Sequence, residues 1–212
     1  MEEMLRALDA LVHQGKVRYI ACSNYQAWRL MEALWLSDAN GLARFECLQP
    51  QYSLVVRDIE QELIPVCQLK SLGVVVWSPL GGGFLSGKYK SGERTVEGTR
   101  SADAWAYPQR YFAENADESL QALLAVADEI GRSPAQVALR WVLEQPAITS
   151  IIIGARTVEQ ARDNMLAGSF GLEGEALTKL NDISYLPPRY PEEMEKNMHE
   201  RRDDAVEMPS LE

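Results

Sequence analysis

The stretch that decides the fold runs from Arg140 to Asn164 and reads RWVLEQPAITSIIIGARTVEQARDN. Residues Thr149–Ile153 are apolar and β-branched without alternation, which predicts a parallel strand covered on both faces. Gly154 permits a tight turn that a side chain would crowd. Thr157 then begins a helix, with Gln160 at the capping-box position three residues later. The stretch therefore predicts a helix end, a short strand, a turn and a second helix.

The start of that second helix has features that suit an anion. Its first turn presents backbone N–H groups and the positive end of the helix dipole, and Arg156 lies beside them. Every strand–turn–helix unit has such a turn, however, and most of them bind nothing. The stretch alone therefore leaves a phosphate site and a purely structural turn open.

The composition of the whole chain narrows the classes of protein. Its 212 residues, 46% apolar and 25% charged, fit one sizeable globular domain. A net charge of -10 argues against binding to nucleic acid or to an anionic membrane, because both require basic surfaces. Cys22, Cys47 and Cys67 lie in apolar runs and predict buried free thiols in a reducing compartment, the cytoplasm. His13 and His199 have no metal-ligand spacing, so we expect no metal.

No segment of the sequence is typical of targeting to a membrane. Nothing near Met1 resembles a signal peptide, and the apolar runs are too short to span a bilayer. We therefore expect a cytoplasmic protein.

Strand-like and helix-like stretches alternate along the chain. Strands are predicted at Val17–Cys22, Phe45–Tyr52, Val74–Trp77 and Thr149–Ile153, and Pro50 should end the ladder of the second. This alternation predicts a parallel sheet with right-handed crossovers, either an open doubly wound sheet or part of a (β/α)8 barrel. The residues after the first strand, SNYQAWRL, contain no glycine, so the Rossmann signature is absent.

Helices are predicted between and after these strands, from their apolar spacing and their start and stop signals. Three of them have clear bounds, at Met1–Gln14, Glu118–Ile130 and Glu173–Ser184. Another has Trp28, Met31 and Trp35 on one side. Two more have capping signals, one with Asp58 and Gln61 at its start and Gly73 at its end, the other with Ser133 as its cap, Pro134 at its first position and Gln136 at its third.

Four stretches resemble the aldo-keto reductases in order and spacing, and they read GKVRYIACSNY, LQPQYSL, GVVVWSPLGGGFLSGKY and PAQVALRWVLEQPAITSIIIGARTVEQARDN. The glycine-rich loop is most similar to the branch that holds bacterial reductases and potassium-channel β subunits. The resemblance implies that residues 1–188 form the carboxyl-terminal half of a (β/α)8 TIM barrel, with about four parallel strands and outer helices, before a charged tail over 189–212. It also implies NADP(H)-dependent interconversion of carbonyls and alcohols, with the cofactor extended across the carboxyl-terminal face.

The same resemblance implies a role for individual residues. Ser23 and Asn24 hold the nicotinamide carboxamide, aided by Gln49, and the nicotinamide ring stacks on Trp77. Many members carry a lysine where Gly154 stands. Because that charge is missing here, a preference for NADP over NAD depends on whether Arg156 replaces it. The remaining implied contacts are Ser78, Leu80 and Gly82 with the pyrophosphate, Gly154, Ala155, Arg156 and Thr157 with the 2′-phosphate, and Gln160 and Asn164 with the phosphate and adenine.

Each implied contact has a structural alternative. Asn24 suits a helix cap equally well, and Trp77 suits a plain core position. Ser78 precedes a proline and is a good turn former. Gln160 serves the capping box without any ligand.

The glycine-rich loop also invites a different interpretation. Residues Gly82–Lys88 nearly spell the Walker A pattern GxxxxGK, but Tyr89 replaces the Ser or Thr that would hold Mg²⁺. A nucleoside triphosphate site is therefore disfavoured. The segment Lys88–Asp117 that follows has no clean period, which is typical of a functional or disordered loop.

The family's proton chemistry uses an Asp, a Tyr, a Lys and a His from the first half of the barrel. This sequence contains no matching DTAxxYG or QxH stretch, and Tyr25, Tyr52, Lys88 and His13 are poor substitutes by position. General acid catalysis contributes about 10²–10⁴-fold. We therefore assign no catalytic residue and expect no appreciable carbonyl reduction by this chain alone.

Four strands leave two open edges and one uncovered sheet face, which invite pairing with another chain. We therefore expect a homodimer or higher oligomer that covers them, with a small carbonyl substrate only in a completed barrel. The competing interpretation is a non-catalytic half-barrel that folds by self-association, as a degenerate product or an interaction module. The reading frame upstream of Met1 distinguishes the two interpretations. If it encodes the missing barrel strands, the enzyme class belongs to the parent protein.

Overall fold

The computed structural model describes residues 1–89, 112–195 and 198. These residues contain a four-stranded sheet in the order β1-β2-β3-β4, and every neighbouring pair of strands is parallel. The parallel alternation predicted from the sequence is thereby confirmed. The strands are β1 Ile20–Ser23, β2 Phe45–Gln49, β3 Gly73–Val76 and β4 Ser150–Ile151.

Helices connect the strands and follow the last of them, at the places that the sequence predicts to within a few residues. Short 3-10 turns supplement them at Asp58–Glu60, Gly81–Ser86 and Leu166–Ser169. The helices are α1 Glu2–His13, α2 Ala27–Asn40, α3 Leu63–Leu69, α4 Ala116–Glu129, α5 Pro134–Glu144, α6 Val158–Met165 and α7 Gly174–Ile183.

Among the described residues, the helices cover one face of the sheet and leave the other open. Cys22, Leu48 and Val74 are buried beneath the helices, whereas Ala21 and Ser23 on the opposite face of β1 are exposed. Sequential parallel strands with their helices on one side form a barrel wall, whereas a doubly wound sheet reverses its strand order partway. The structure is therefore a partial (β/α)8 barrel, and the doubly wound alternative is wrong.

The last strand is shorter and more open than the sequence predicts. The N–H groups of Thr149 and Ile152 continue the ladder onto β3 at 2.9 and 2.7 Å, but only Ser150–Ile151 forms β4. Ile152 is 43% exposed and Ile153 is 38% exposed. The prediction of a strand covered on both faces is wrong, because the helices that the structure describes cover one face of the sheet and leave the other open at this segment.

The helix predicted to begin at Asp58 begins later and ends earlier. Asp58 starts only a 3-10 turn, and α3 begins at Leu63 without a side-chain cap. Ser71 adopts a left-handed φ of 54°, and the N–H groups of Ser71 and Leu72 bond to carbonyls of the last turn at 3.2 and 2.8 Å. This is a Schellman ending, so Ser71 has the role predicted for Gly73, which instead begins β3.

The predicted start of α5 is confirmed. Ser133 Oγ accepts the N–H of Gln136 at 3.2 Å, and Pro134 occupies the first helical position. The same hydroxyl donates to Asp163 Oδ2 at 2.7 Å, while Gln136 Nε2 donates to Asp163 Oδ1 at 2.6 Å. The cap of α5 therefore also fastens α6 to it.

A polar cluster inside the core joins α5 and α7 to the segment after β2. Trp141 is fully buried, and its Nε1 donates to Asn181 Oδ1 at 2.8 Å. The Arg57 guanidinium lies 5.2 Å from the Trp141 ring centre and donates to Ser184 Oγ at 2.7 Å. The Tyr52 ring packs on the Trp141 ring with centres 5.5 Å apart. Because these elements are distant in sequence, the cluster fixes how they pack.

The three cysteines are free thiols, as predicted. Cys22 and Cys67 are buried, and Cys47 is partly buried. Burial raises the pKa of Cys22 to about 12 and the pKa of Cys67 to about 11. At neutral pH both thiols are therefore protonated and serve as small packing groups.

Two predicted segments lie largely outside the described residues. In the predicted loop Lys88–Asp117, residues 90–111 are outside the described part. In the predicted tail over 189–212, residues 196–197 and 199–212 are outside it. In the described part of the chain, none of the helices has both the length and the apolar character of a membrane span.

Candidate cofactor-binding site

The residues predicted to hold the nicotinamide gather at the carboxyl-terminal edge of the sheet. Ser23 and Gln49 are paired in register at the ends of β1 and β2, and Ser23 Oγ donates to the Gln49 carbonyl at 2.7 Å. Trp77 follows β3, and its backbone N–H donates to the Pro50 carbonyl at 3.0 Å. Barrels bind their ligands at this edge. Three neighbouring strands therefore end side by side in candidate cofactor residues.

A hydrogen bond joins two of these residues directly. Trp77 Nε1 donates to Asn24 Oδ1 at 2.9 Å. Because an indole N–H can only donate, the amide atom that faces it is the oxygen, and Asn24 Nδ2 is left as a donor for another group. The cap of α2 is Gln26, without a side-chain cap bond, so the alternative role of Asn24 as a helix cap is wrong. Trp77 is only partly buried.

Backbone strain concentrates in the same corner. Among the described residues, Asn24, Ser71 and Ser78 are the non-glycine positions with positive φ, at 57°, 54° and 56°. Ser71 ends α3. Asn24 directly follows β1, and Ser78 follows Trp77 just after β3. Left-handed backbone costs about 1–2 kcal/mol for such residues and persists where the surroundings enforce it. The corner is therefore held in a conformation that the chain does not favour locally.

The glycine-rich loop after Trp77 folds back on itself. Gly81, Gly82 and Gly83 all have positive φ, at 58°, 67° and 102°. Ser78 Oγ accepts the N–H of Gly82 at 3.0 Å, and the Gly83 N–H donates to the Leu80 carbonyl at 3.0 Å. A side chain on Gly81 would meet Phe112 at 3.2 Å. Three consecutive left-handed residues therefore require glycine here, and Ser78 acts as a turn former as well as a candidate pyrophosphate contact.

The start of α6 has the predicted cap with one difference. Thr157 Oγ1 accepts the N–H of Gln160 at 3.2 Å, but Gln160 Oε1 accepts the N–H of Arg156 at 2.9 Å, one residue before the cap. The turn is exposed to solvent from residue 152 to residue 159. The pKa of Glu159 is lowered by its own backbone N–H and by the Thr157 hydroxyl. This helix start therefore favours a negative charge.

Asn164 holds that turn from the other end of α6. Its side chain is 7% exposed, and Nδ2 donates to the Gly154 carbonyl at 3.3 Å. The residue predicted to contact adenine thus also ties the helix to the end of the last strand.

A cavity of about 940 Å³ opens beside Asn24 and Trp77. Its walls come from the ends of β1, β2 and β3, from the 3-10 turn region over 56–63, from residues 112–115 and from residues 185–189. They are largely apolar, with an ion pair between Arg189 and Asp58 at 3.9 Å. Apart from the pair of prolines at 187–188, no local pattern of residues predicts that the last two segments belong to the site.

The side chains considered as substitutes for a proton donor are engaged elsewhere. Tyr52 is 1% exposed and donates its hydroxyl to Glu60, and burial followed by the Glu60 charge raises the pKa of Tyr52. The Tyr25 hydroxyl faces Met4 Sδ at 3.8 Å, on α1. His13 lies exposed at the end of α1. Over the described ranges, no group of three or more His, Cys, Asp or Glu side chains is placed to hold a metal ion.

Comparison with known proteins accounts for this arrangement. The profile of the aldo/keto reductase family matches residues 1–184. The chain belongs to the aldo/keto reductase family. The resemblance found in four separate stretches of the sequence is thus confirmed over almost the whole described chain.

Individual members of the aldo/keto reductase family show the same relation. The chain is 37% identical over 182 residues to the uncharacterized oxidoreductase YrpG of Bacillus subtilis. The matched region covers 86% of this chain and 53% of that protein. The chain is 32% identical over 195 residues to a putative voltage-gated potassium channel subunit beta of Schizosaccharomyces pombe, covering 89% and 56%. Protein tas of Escherichia coli is 33% identical over 183 residues, covering 85% and 52%. The chain therefore spans about half the length of the curated relatives it matches.

Proposed function

We propose that this aldo/keto reductase chain binds NADP(H) and forms the cofactor-binding part of an oxidoreductase that interconverts carbonyls and alcohols. The observation that carries the proposal is the bond between Trp77 Nε1 and Asn24 Oδ1 at 2.9 Å. It places an aromatic ring and an amide donor together at the carboxyl edge of a barrel sheet, where a flat ring with a carboxamide substituent would meet both.

The nicotinamide end of the proposed site uses complementary hydrogen bonding. Asn24 Nδ2 donates to the carboxamide oxygen of the cofactor, while the ends of β1 and β2 contribute Ser23 and Gln49. The Trp77 ring would hold one face of the nicotinamide and so leave the opposite face toward the substrate. The bound cofactor supplies the hydride chemistry, and these residues orient it.

The phosphate end of the proposed site uses backbone groups and one cation. Ser78, Leu80 and Gly82 line the pyrophosphate, and Gly154, Ala155 and Thr157 form the turn that faces the 2′-phosphate. Arg156 lies in that exposed turn and supplies positive charge in a chain whose net charge is -10. Gln160 and Asn164 support the turn through the bonds described above and approach the adenosine.

Replacing Arg156 with alanine is expected to lower the affinity for NADPH roughly tenfold, because hydrogen bonds to charged groups contribute about 1.5–3 kcal/mol. The affinity for NADH should change little, since NADH has no 2′-phosphate. Isothermal titration calorimetry with both nucleotides measures the difference. Arg162→Ala, an exposed arginine at the other end of α6, is the matched control. Equal losses for both nucleotides would contradict the assignment of Arg156.

We also expect that this chain alone does not oxidise NADPH with a generic aldehyde above the uncatalysed rate. The physical reason is that Tyr52 donates its hydroxyl to Glu60 and that His13 lies at the end of α1. Tyr25 lines the cavity beside Asn24 and Trp77, but its hydroxyl faces Met4 Sδ at 3.8 Å. Absorbance of NADPH over time, in a sample whose binding has been measured by calorimetry, tests this expectation. Sustained turnover that Trp77→Ala abolishes would show that a proton donor operates at the corner after all.

The second candidate function is a non-catalytic module that associates with another copy. The exposure of Ile152 and Ile153, directly after the edge strand β4, favours it, because an open edge with apolar side chains invites pairing. The nucleotide titration separates the two proposals. A folded chain that self-associates through β4 and binds neither NADPH nor NADH would favour the module.

A further inference from the structure

The outward face of α2 carries two large aromatic side chains that are mostly exposed, although Trp28 Nε1 donates to Gln26 Oε1 at 2.9 Å. Trp28 is 62% exposed and Trp35 is 65% exposed. They lie seven residues apart, about two turns, on the same side of the helix. Leu30 and Leu34 on the inward side are buried. The packing of α2 on the sheet therefore does not account for the tryptophans.

The positive charge of this face lies near the amino end of α2, and its negative charges lie nearer the carboxyl end. Arg29 lies near the amino end of α2, with its guanidinium 5.4 Å from the Tyr25 ring centre and 5.9 Å from the Trp28 ring centre. Glu32 and Asp38 are exposed further toward the carboxyl end. Between residues 25 and 38, the charged side chains are Arg29, Glu32 and Asp38, with a net charge of -1, whereas the whole chain has a net charge of -10. The face can therefore meet a second copy with little net repulsion.

We propose that two copies of this chain associate through the outward faces of α2, packed antiparallel about a two-fold axis. With the axis beside Met31 and Glu32, Trp28 of one copy lies opposite Trp35 of the other. Arg29 of one copy then lies within one turn of Glu32 of the other. The face is thus complementary to itself, which a two-fold contact requires.

The antiparallel direction follows from the same charges. Arg29 and Glu32 lie to the same side of the tryptophans on α2, so a parallel two-fold pairing would put them on opposite sides of the contact in the two copies and would lose the attraction between Arg29 and Glu32. The antiparallel pairing also opposes the two helix dipoles. Arg29 is already stacked between Tyr25 and Trp28, so little of its freedom remains to be lost on contact. Tryptophan and arginine are the residues that most often dominate interface energies.

This contact is separate from the open sheet and does not depend on the proposed cofactor. The inward side of α2 packs on the sheet, and α1 and α3 flank the helix. Its outward face therefore points away from both the uncovered face of the sheet and the β4 edge. Variants that each change one of these surfaces, the outward face of α2 or the β4 edge, can therefore be compared by light scattering.

The test is the molar mass of the full chain as a function of concentration, by light scattering and sedimentation velocity. We expect a dimer of twice 23.8 kDa that dissociates on dilution. The double variant Trp28→Ser/Trp35→Ser should weaken dimerisation by roughly tenfold or more, with an unchanged circular dichroism spectrum. Tyr19→Ser, at a 77% exposed aromatic residue outside α2, is the matched control and should leave the dimer intact.

Charge reversal gives a second, independent readout. Arg29→Glu should weaken the dimer by placing carboxylates against Glu32 of the other copy, and Arg29→Glu/Glu32→Arg should restore it. A monomer at all concentrations would overturn the proposal. So would a dimer that survives the double tryptophan variant, or one that only Ile152→Lys on the β4 edge dissolves.

Discussion

Replacing Trp77 with alanine lowers the affinity of the chain for NADPH by roughly 10- to 100-fold, as the expected result of a calorimetric titration. Stacking of a base on an aromatic side chain contributes about 1–3 kcal/mol. The variant also removes the donor that orients Asn24 Oδ1, now at 2.9 Å from Trp77 Nε1. Both losses act on the nicotinamide end of the ligand.

The matched variant Trp77→Phe separates the two contributions. Phenylalanine keeps an aromatic face but has no N–H, so the Asn24 amide loses its partner, and affinity should fall by roughly threefold to tenfold. Adenosine 2′,5′-bisphosphate, which lacks the nicotinamide, should bind wild type and both variants equally. An equal loss for the bisphosphate would mean that the substitutions damage the site generally, which would contradict the assigned role of Trp77.

Replacing Trp141 with alanine should reduce the free energy of unfolding by about 3–5 kcal/mol, the range for deleting a buried aromatic side chain. Trp141 has no exposed surface, packs against Tyr52 and Arg57, and binds Asn181 through its indole N–H. Urea unfolding followed by circular dichroism measures the change. The loss combines a cavity with the separation of α5 from α7.

Two companion variants sharpen that measurement. Trp141→Phe fills much of the cavity but leaves Asn181 Oδ1 without its donor, so it should cost only about 1–3 kcal/mol. Trp35→Ala, at an exposed tryptophan, should change the stability of the monomer by less than about 0.5 kcal/mol. If Trp141→Ala costs no more than Trp35→Ala, the polar cluster does not hold the two helices together.

The features predicted correctly from the sequence are those that depend on neighbouring residues. The cap at Ser133 with Pro134 and Gln136 needs only one helical turn, and it is present as predicted. The parallel pairing of the four strands follows from the alternation of strand-like and helix-like stretches along the chain. Local chemistry and the alternation of elements therefore sufficed for the parallel sheet and for the start of α5, whereas the partial barrel was implied by the resemblance to the aldo-keto reductases.

The features that the sequence did not predict depend on distant partners. Asn24 follows a strand and precedes a helix, which favours a cap, yet its side chain bonds to Trp77, 53 residues later. The burial expected for β4 required neighbours that the described sheet does not have. Residues 112–115 and 185–189 join one cavity only through tertiary packing. No local pattern of residue types carries such information.

The turn before α6 is braced from both sides by its own helix. Gln160 holds the N–H of Arg156, and Asn164 holds the carbonyl of Gly154, at 2.9 and 3.3 Å. A nucleotide that docks there meets a backbone already in position, so little disorder remains to be frozen out on arrival. Differences in affinity between nucleotides should then be expressed in how fast each one leaves, with similar rates of arrival for all of them.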